Sequence, residues 1–360
     1  MNRTSLRRVA APGIAALALS LTVTACGAAN EGGDDTTSAN EDTSLSGQLA
    51  GAGASSQEKA QEAWSTAFQG QNADATITYD PVGSGDGRKQ FIAKGVSFAG
   101  SDGYLKDDEG ELSAAKERCA GTDPIEVPAY VSPIAVVFNL PGVTDLQLSA
   151  KTIAGIFDGK ITKWNDAAIA DENPDADLPG DRITPVHRSD DSGTTENFTD
   201  YLNKAGEGAW KYDADGVWPT KGGEAAEGTS GVISAVTNGK GSIGYADESQ
   251  AGDLGKAKVK VGEEYVAPEP EAAAKVVDTS PAAADRSEVD MATDIDRTTT
   301  ESGAYPVVLV SYLIACQTYD DKAEADLVKA YLSYIVSEEG QAAAAENAGS
   351  APLSAATADK

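Results

Sequence analysis

Histidine is nearly missing from this 360-residue chain: His187 is the only one, beside three cysteines and two methionines. So few imidazoles and thiols leave carboxylates as the abundant metal ligands. No Asp-x-Asp-x-Asp-Gly calcium loop occurs among them. A Gly-x-Ser-x-Gly elbow is also absent, so a Ser-His-Asp triad would have to run through His187. A histidine next to Arg188 reads instead as a packing or hydrogen-bonding residue. The chain has no Walker lysine and no dinucleotide glycine fingerprint, which points to a ligand smaller than a nucleotide. Cations are scarce as well, with 28 Lys and Arg against 57 Asp and Glu and a formal charge of −29. That balance argues against nucleic acid and anionic lipid surfaces as partners. No catalytic residue, metal or cofactor is assigned.

What is present begins with an export signal. Arg3, Arg7 and Arg8 precede an apolar run from Val9 to Val23, and Val23-Thr24-Ala25-Cys26 follows. The last four residues resemble the lipobox of bacterial lipoproteins, which implies removal of residues 1–25 and lipidation of Cys26. Losing three arginines and no acid takes the formal charge from −29 to −32. Residues 26–46 are rich in Gly, Ala, Asn, Thr, Asp and Glu and read as a disordered acidic tether. No later run approaches a membrane span, so the expected location is the extracytoplasmic face of the membrane, held by lipid. With Cys26 lipidated, Cys119 and Cys316 are the remaining pair in an oxidising compartment. They form either a disulfide or two buried thiols.

From Leu45 onward short strands alternate with helices, which predicts an α/β fold. Strands are expected at Leu45–Gly51, Thr76–Pro81, Val96–Gly100, Val131–Phe138, Ile243–Ala246 and Pro306–Cys316. Helices are expected around Ala60–Phe68, after Gly87 through Phe91 and Ile92, at Leu112–Arg118, within Leu148–Lys160, at Pro268–Ala284 and finally at Ala323–Glu339. The mature length exceeds one comfortable core and predicts two domains. If the C-terminal segment returns to the first, the chain crosses near Ala129–Ser132 and again near Gly303–Pro306. The expected division is 47–129 with 304–360, against 130–303.

Three Gly/Ser-rich strand-to-helix turns carry the chemistry: Gly51–Ser56, Gly83–Gly87 and Ser192–Thr195. Each directs a helix N-terminus with unpaired N–H groups beyond the strand ends, where open α/β sheets bind ligands. The third follows His187-Arg188-Ser189-Asp190-Asp191, which adds a guanidinium. Backbone N–H groups, hydroxyls and one arginine are the groups that a desolvated oxyanion needs.

These turns, with Phe98–Asp102, Leu148–Asp166 (notably Lys160-Ile161-Thr162-Lys163-Trp164-Asn165-Asp166) and His187–Leu202, resemble the phosphate-binding proteins of bacterial ABC-type phosphate transporters. The likeness runs in order from about residue 47 to 250 and resumes at Ala304–Leu313. It implies a two-lobed periplasmic-binding-protein fold of type II, with discontinuous domains joined by a two-strand hinge. It also implies a monomer that binds inorganic phosphate and hands it to permease subunits in the membrane. By motif position the ligand contacts would be Ser55, Ser56, Ser84, Asp102, Arg188, Ser192, Gly193 and Thr194, with Asp190 orienting Arg188. Ser56 replaces the family's usual phenylalanine; the family's contact there resembles a backbone N–H contact, so binding is expected to survive with loss of the cleft's apolar edge. Asp191 replaces the usual glycine, and its side chain is expected to point to solvent. Asp102 makes sense beside an anion only if that anion carries a proton to donate, which discriminates against sulfate. The alternatives are a binder of another tetrahedral oxyanion such as sulfate or molybdate, a cell-surface phosphatase, and a surface sensor or adhesin.

Overall fold

The computed structural model describes residues 45–107 and 110–360. The signal segment, Cys26 and nearly all of the tether lie outside the described residues.

The chain opens with β1 (Gly47–Gly53), a 3-10 turn at Ser55–Gln57 and α1 (Glu58–Gln71), which buries Ala60, Trp64 and Phe68. Then follow β2 (Ala75–Asp80), α2 (Ser84–Ile92), β3 (Phe98–Ser101) and α3 (Glu111–Arg118). β4 (Ile125–Asn139) is a single strand of 15 residues that begins six residues before the expected start. Its length has a topological cause. Residues 125–133 pair antiparallel with β12 (Val308–Ala315), whereas 134–139 pair antiparallel with β8 (Ser242–Asp247). One strand thereby serves two halves of a nine-stranded sheet, ordered β2-β1-β3-β12-β4-β8-β6-β7, with β9 (Gly255–Lys256) at the side of β4. The second half contains β6 (Thr184–Arg188), α6 (Gly193–Ala205), β7 (Glu224–Ala226) and α7 (Gly228–Asn238).

A small sheet of β5 (Gln147–Leu148), β10 (Lys258–Val261) and β11 (Glu264–Val266) flanks this half. α4 spans Ala150–Phe157; the Ser149 hydroxyl caps it by accepting from the Thr152 N–H, and Gly159 beyond its end has φ +73°. α5 (Ala167–Glu172) follows. α8 (Pro270–Thr279) is shorter than the expected Pro268–Ala284 and buries Ala272, Ala273 and Val276. The expected last helix is two. α9 (Lys322–Val336) stops at Ser337, whose hydroxyl accepts from the Gly340 N–H and starts α10 (Glu338–Ala348). α11 (Ala355–Asp359) ends the chain.

Large side chains fill both halves. Trp64, Phe68, Phe98 and Tyr331 pack beneath β1 and β3, and Phe157, Phe198, Trp218 and Tyr245 pack beneath β6 and β8. Each such burial stabilises by about 1.5–3 kcal/mol. Cys119 and Cys316 form a disulfide with Cα atoms 5.3 Å apart, closing a separation of 197 residues between the end of α3 and the end of β12. The loop-entropy account gives such a long closure about 5 kcal/mol. Among the described residues no helix is long and apolar enough to cross a membrane.

Candidate ligand-binding site

β1, β2 and β3 run parallel, so the turns after Gly53, Asp80 and Ser101 lie on one edge of the sheet. β6, β7 and β8 are also mutually parallel where they pair, and Arg188 is the last residue of β6. The three turns singled out in the sequence therefore lead to one cleft. All the predicted contact residues are buried there: Ser55, Ser56, Ser84, Asp102, Arg188, Ser192, Gly193 and Thr194.

Asp102 is the acceptor of the cluster. Its Oδ1 accepts from the Ser56 and Ser311 hydroxyls, each at 2.6 Å, and its Oδ2 accepts from Thr194 Oγ1 at 2.8 Å. A carboxylate offers about four lone-pair positions, so these three bonds leave one, on Oδ2, for a further donor. The Asp102 N–H donates to Ser84 Oγ at 3.1 Å, which leaves that hydroxyl's own proton to donate elsewhere. Gly193 packs so closely here that a Cβ would stand 2.6 Å from Ser84 Oγ and 2.8 Å from Asp102 Cβ. Only glycine permits that approach.

Donors cluster opposite. Arg188 Nε donates to Asp190 Oδ1 at 2.8 Å and Nη2 pairs with Oδ2, a two-point clasp that leaves Nη1 without a protein partner among the described residues. Burial alone would raise the Asp190 carboxyl. The Arg188 contact and the Gly228 N–H at 3.0 Å outweigh it and hold Asp190 below its ordinary range. Ser192 caps α6, accepting from the Thr195 N–H at 3.2 Å, while its own N–H donates to Gly216 O at 3.0 Å. The first two N–H groups of α6, on Gly193 and Thr194, are the unpaired donors of a helix start. Burial pushes the Tyr245 hydroxyl up to about 12; it hydrogen-bonds Thr195 Oγ1 and accepts from the Arg188 N–H, which fixes the strand end beneath the guanidinium. His187 stacks on Trp218 with ring centroids 4.9 Å apart and bonds the Arg188 carbonyl, a packing residue as read.

One expectation requires correction. Asp191 does not point to solvent: its carboxylate packs over Gly85 and beside Gly216 and pairs with Lys89 Nζ at 3.0 Å. Its carbonyl accepts from the Gly85 N–H at 3.0 Å. Gly83 makes room for this junction, with φ +101° and a would-be Cβ only 2.6 Å from Asp190 Oδ2. Beyond the expectation for its backbone, the Ser56 hydroxyl is one of the donors that hold Asp102.

The sequence reading missed several participants. Thr229, at the start of α7, meets Ser55 through its hydroxyl at 3.0 Å and its N–H at 3.1 Å. Gly228-Thr229-Ser230-Gly231 is a turn of the same composition as the other three and was open to the same argument. Ser311 was detectable as the lone serine in the apolar run Val308–Ala315. Asn197 and Arg297 had no comparable signature.

Among the described residues no cluster of His, Cys, Asp and Glu is arranged to hold a metal ion. What the cleft offers is a guanidinium, two helix N–H groups and several hydroxyls around one carboxylate. That set suits a small oxyanion bearing a proton.

Comparison with known proteins agrees with this geometry. Residues 38–339 match the family model of the PBP superfamily domain. The phosphate-binding protein PstS3 of Mycobacterium bovis (strain BCG / Pasteur) is 35% identical over 336 residues, covering 91% of this chain and 90% of that protein. PstS2 of the same strain is 33% identical over 319 residues, covering 87% and 86%. Among solved structures, a high-affinity periplasmic phosphate-binding protein (PfluDING) bound with phosphate superposes with a TM-score of 0.70 at 26% identity. That match covers 87% of this chain and 92% of the other.

Proposed function

The chain belongs to the PBP superfamily and, within it, to the PstS phosphate-binding proteins, and from that membership we propose that it binds inorganic phosphate outside the cell membrane and delivers it to an ABC-type permease. The two-lobed fold of the superfamily closes around a ligand held between the sheet halves. In this reading residues 47–129 and 304–360 form one lobe and 130–303 the other; the change of partner along β4 at residues 133 and 134 supports the division.

Phosphate would lie between Arg188 Nη1, the Gly193 and Thr194 N–H groups, and the hydroxyls of Ser84 and Ser192. The free Oδ2 position of Asp102 would accept the proton that hydrogen phosphate and dihydrogen phosphate still carry. Sulfate has none at neutral pH, and an acceptor facing an acceptor in a closed cleft is repulsive. Ser55 is held toward Thr229 and would help close the cleft rather than bind through its hydroxyl. No covalent step is needed, so the protein works as a carrier and not as an enzyme. It would be a monomer anchored through lipid on Cys26.

The observation that carries this reading is the buried carboxylate of Asp102 set among donors, with one acceptor position left. Equilibrium binding of labelled phosphate under sulfate competition tests it. Phosphate should bind and excess sulfate should displace little of it; strong displacement, or turnover of a chromogenic phosphate ester, would overturn the assignment. Palmitate labelling that disappears in Cys26→Ser tests the anchor, and light scattering tests the monomer.

A further inference from the structure

Arg297 lies in the stretch between α8 and β12, and its side chain is 2% exposed. Its donors are taken up on three sides. Nε donates to Asp200 Oδ2 at 2.9 Å, Nη1 to the carbonyls of Pro306 and Val308 at 3.0 and 2.6 Å, and Nη2 to Asn197 Oδ1. A guanidinium only donates, so the atom of Asn197 that faces it must be the amide oxygen. The Asn197 nitrogen is thereby turned the other way. It donates to Asp102 O at 2.8 Å and to Gly193 O at 2.9 Å.

Those two carbonyls belong to the residue that accepts at one end of the cleft and to the first residue of the helix that donates at the other. Asp102 follows β3 in the first half of the sheet, and Asn197 lies in α6 of the second. Their hydrogen bond therefore links the two halves of the sheet across the cleft. Arg297 also grips the start of β12, the strand that supplies Ser311 to Asp102.

We propose that Arg297 and Asn197 are a positioning pair that latches the closed cleft, Arg297 setting the Asn197 amide so that its nitrogen clasps Asp102 across the two halves. Neither side chain is assigned to touch the ligand, and the inference rests on the phosphate-binding reading above. A latch of this kind governs release rather than capture or choice of ligand. Ligand enters the open cleft before the Asn197–Asp102 bond forms, and selection depends on the Asp102 carboxylate, which that bond does not use.

The test is stopped-flow phosphate binding to the mature protein and to Asn197→Ala. We expect the dissociation rate to rise about tenfold, the association rate to stay within about twofold, and the phosphate-to-sulfate preference to be unchanged. Arg297→Met should copy this effect, and the double variant should equal the single ones instead of multiplying them, since Arg297 acts through Asn197. An unchanged dissociation rate in Asn197→Ala, a loss confined to association, or multiplicative effects in the double variant would overturn the latch. A merely structural role would lower the melting temperature of the ligand-free protein without changing the phosphate-induced increment; the latch predicts a smaller increment. If Arg297→Met does not fold, Asn197→Ala alone decides. Failure of the wild-type protein to bind phosphate would sink the parent reading instead, so the two failures are distinct.

Discussion

At the Arg188 end of the cleft the working groups lie in one continuous stretch, from Arg188 to Thr195, and the guanidinium is clasped by a residue two positions away. At the Asp102 end they are gathered from Ser56, Ser84, Thr194 and Ser311, the last separated from Asp102 by 209 positions. The first end is local: a strand stops, a turn exposes helix N–H groups, and a nearby carboxylate fixes the arginine. The second exists only when β1, β3, β12 and α6 are all in place. Positive charge and its orientation are thus encoded in a short motif, whereas the acceptor proposed to select the ligand is a property of the fold. Damage to the first end should act on affinity, and damage to the second on selectivity.

The largest effect should come from Arg188→Met. Removing a buried, two-point-held cation opposite an anion costs about 3–5 kcal/mol, roughly two to four orders of magnitude in phosphate affinity by titration calorimetry. Asp190 would be left buried without its partner, so the melting temperature should fall as well. A loss below tenfold would mean that the helix N–H groups, not the guanidinium, dominate binding.

Asp102→Asn should cost less in affinity but change the choice of ligand. The amide keeps one acceptor oxygen but brings an N–H₂ donor in place of the second. Phosphate affinity should fall by about 1–3 kcal/mol while sulfate binding improves. Parallel titrations with the two anions check this. An unaltered ratio of the two affinities would break the division of labour between the ends.

The same contrast explains what was legible in the sequence. The turns at Ser55, Ser84 and Ser192 could be read because glycine and hydroxyl residues before an amphipathic run are the local chemistry of a helix start. The disulfide pairing followed from elimination once Cys26 was set aside. β4 was half-read: its first six residues, Ile125 to Tyr130, carry Glu126 and Pro128 and break the apolar pattern. They are strand only because β12 pairs with them. Thr229 and Ser311 carried local signals that could have been read, whereas Asn197 and Arg297 were missed because their meaning depends on which elements lie next to which. The fate of Asp191 was invisible for the same reason, since its partner Lys89 comes from the opposite half of the sheet.

Asp247, the last residue of β8, is buried and feels the Asp102 charge. Burial pushes its carboxyl up to about 7, against hydrogen bonds from Ser249 and Tyr130 that lower it, and the Asp102 charge adds to the rise. A folded-state value above the unfolded one means that the native protein holds the proton more tightly. The stabilisation is complete below about pH 4 and is lost as pH rises to about 7. Glu126, pushed up to about 8 by burial, contributes in the same direction. Asp247→Asn should therefore flatten part of the decline, by an amount on the order of 2–3 kcal/mol between pH 5 and pH 8. Chemical denaturation of both proteins across that range isolates the Asp247 share from that of Glu126. An identical slope in the two would show that Asp247 is already charged in the folded protein.

The smallest effect is expected at Lys89, whose pair with Asp191 joins α2 to the loop before α6 at the rim of the cleft. The lysine side chain is 61% exposed, so water and salt screen the pair and its contribution lies at about 0–1 kcal/mol. The Gly85 N–H to Asp191 O bond across the same junction does not depend on the lysine and should persist in Lys89→Ala. Phosphate dissociation should therefore accelerate by no more than about fivefold, and the difference should vanish at high salt. A larger, salt-insensitive acceleration would place closure under the control of this exposed pair rather than of the buried contacts at Asp102, and the local end of the cleft would then govern release as well as affinity.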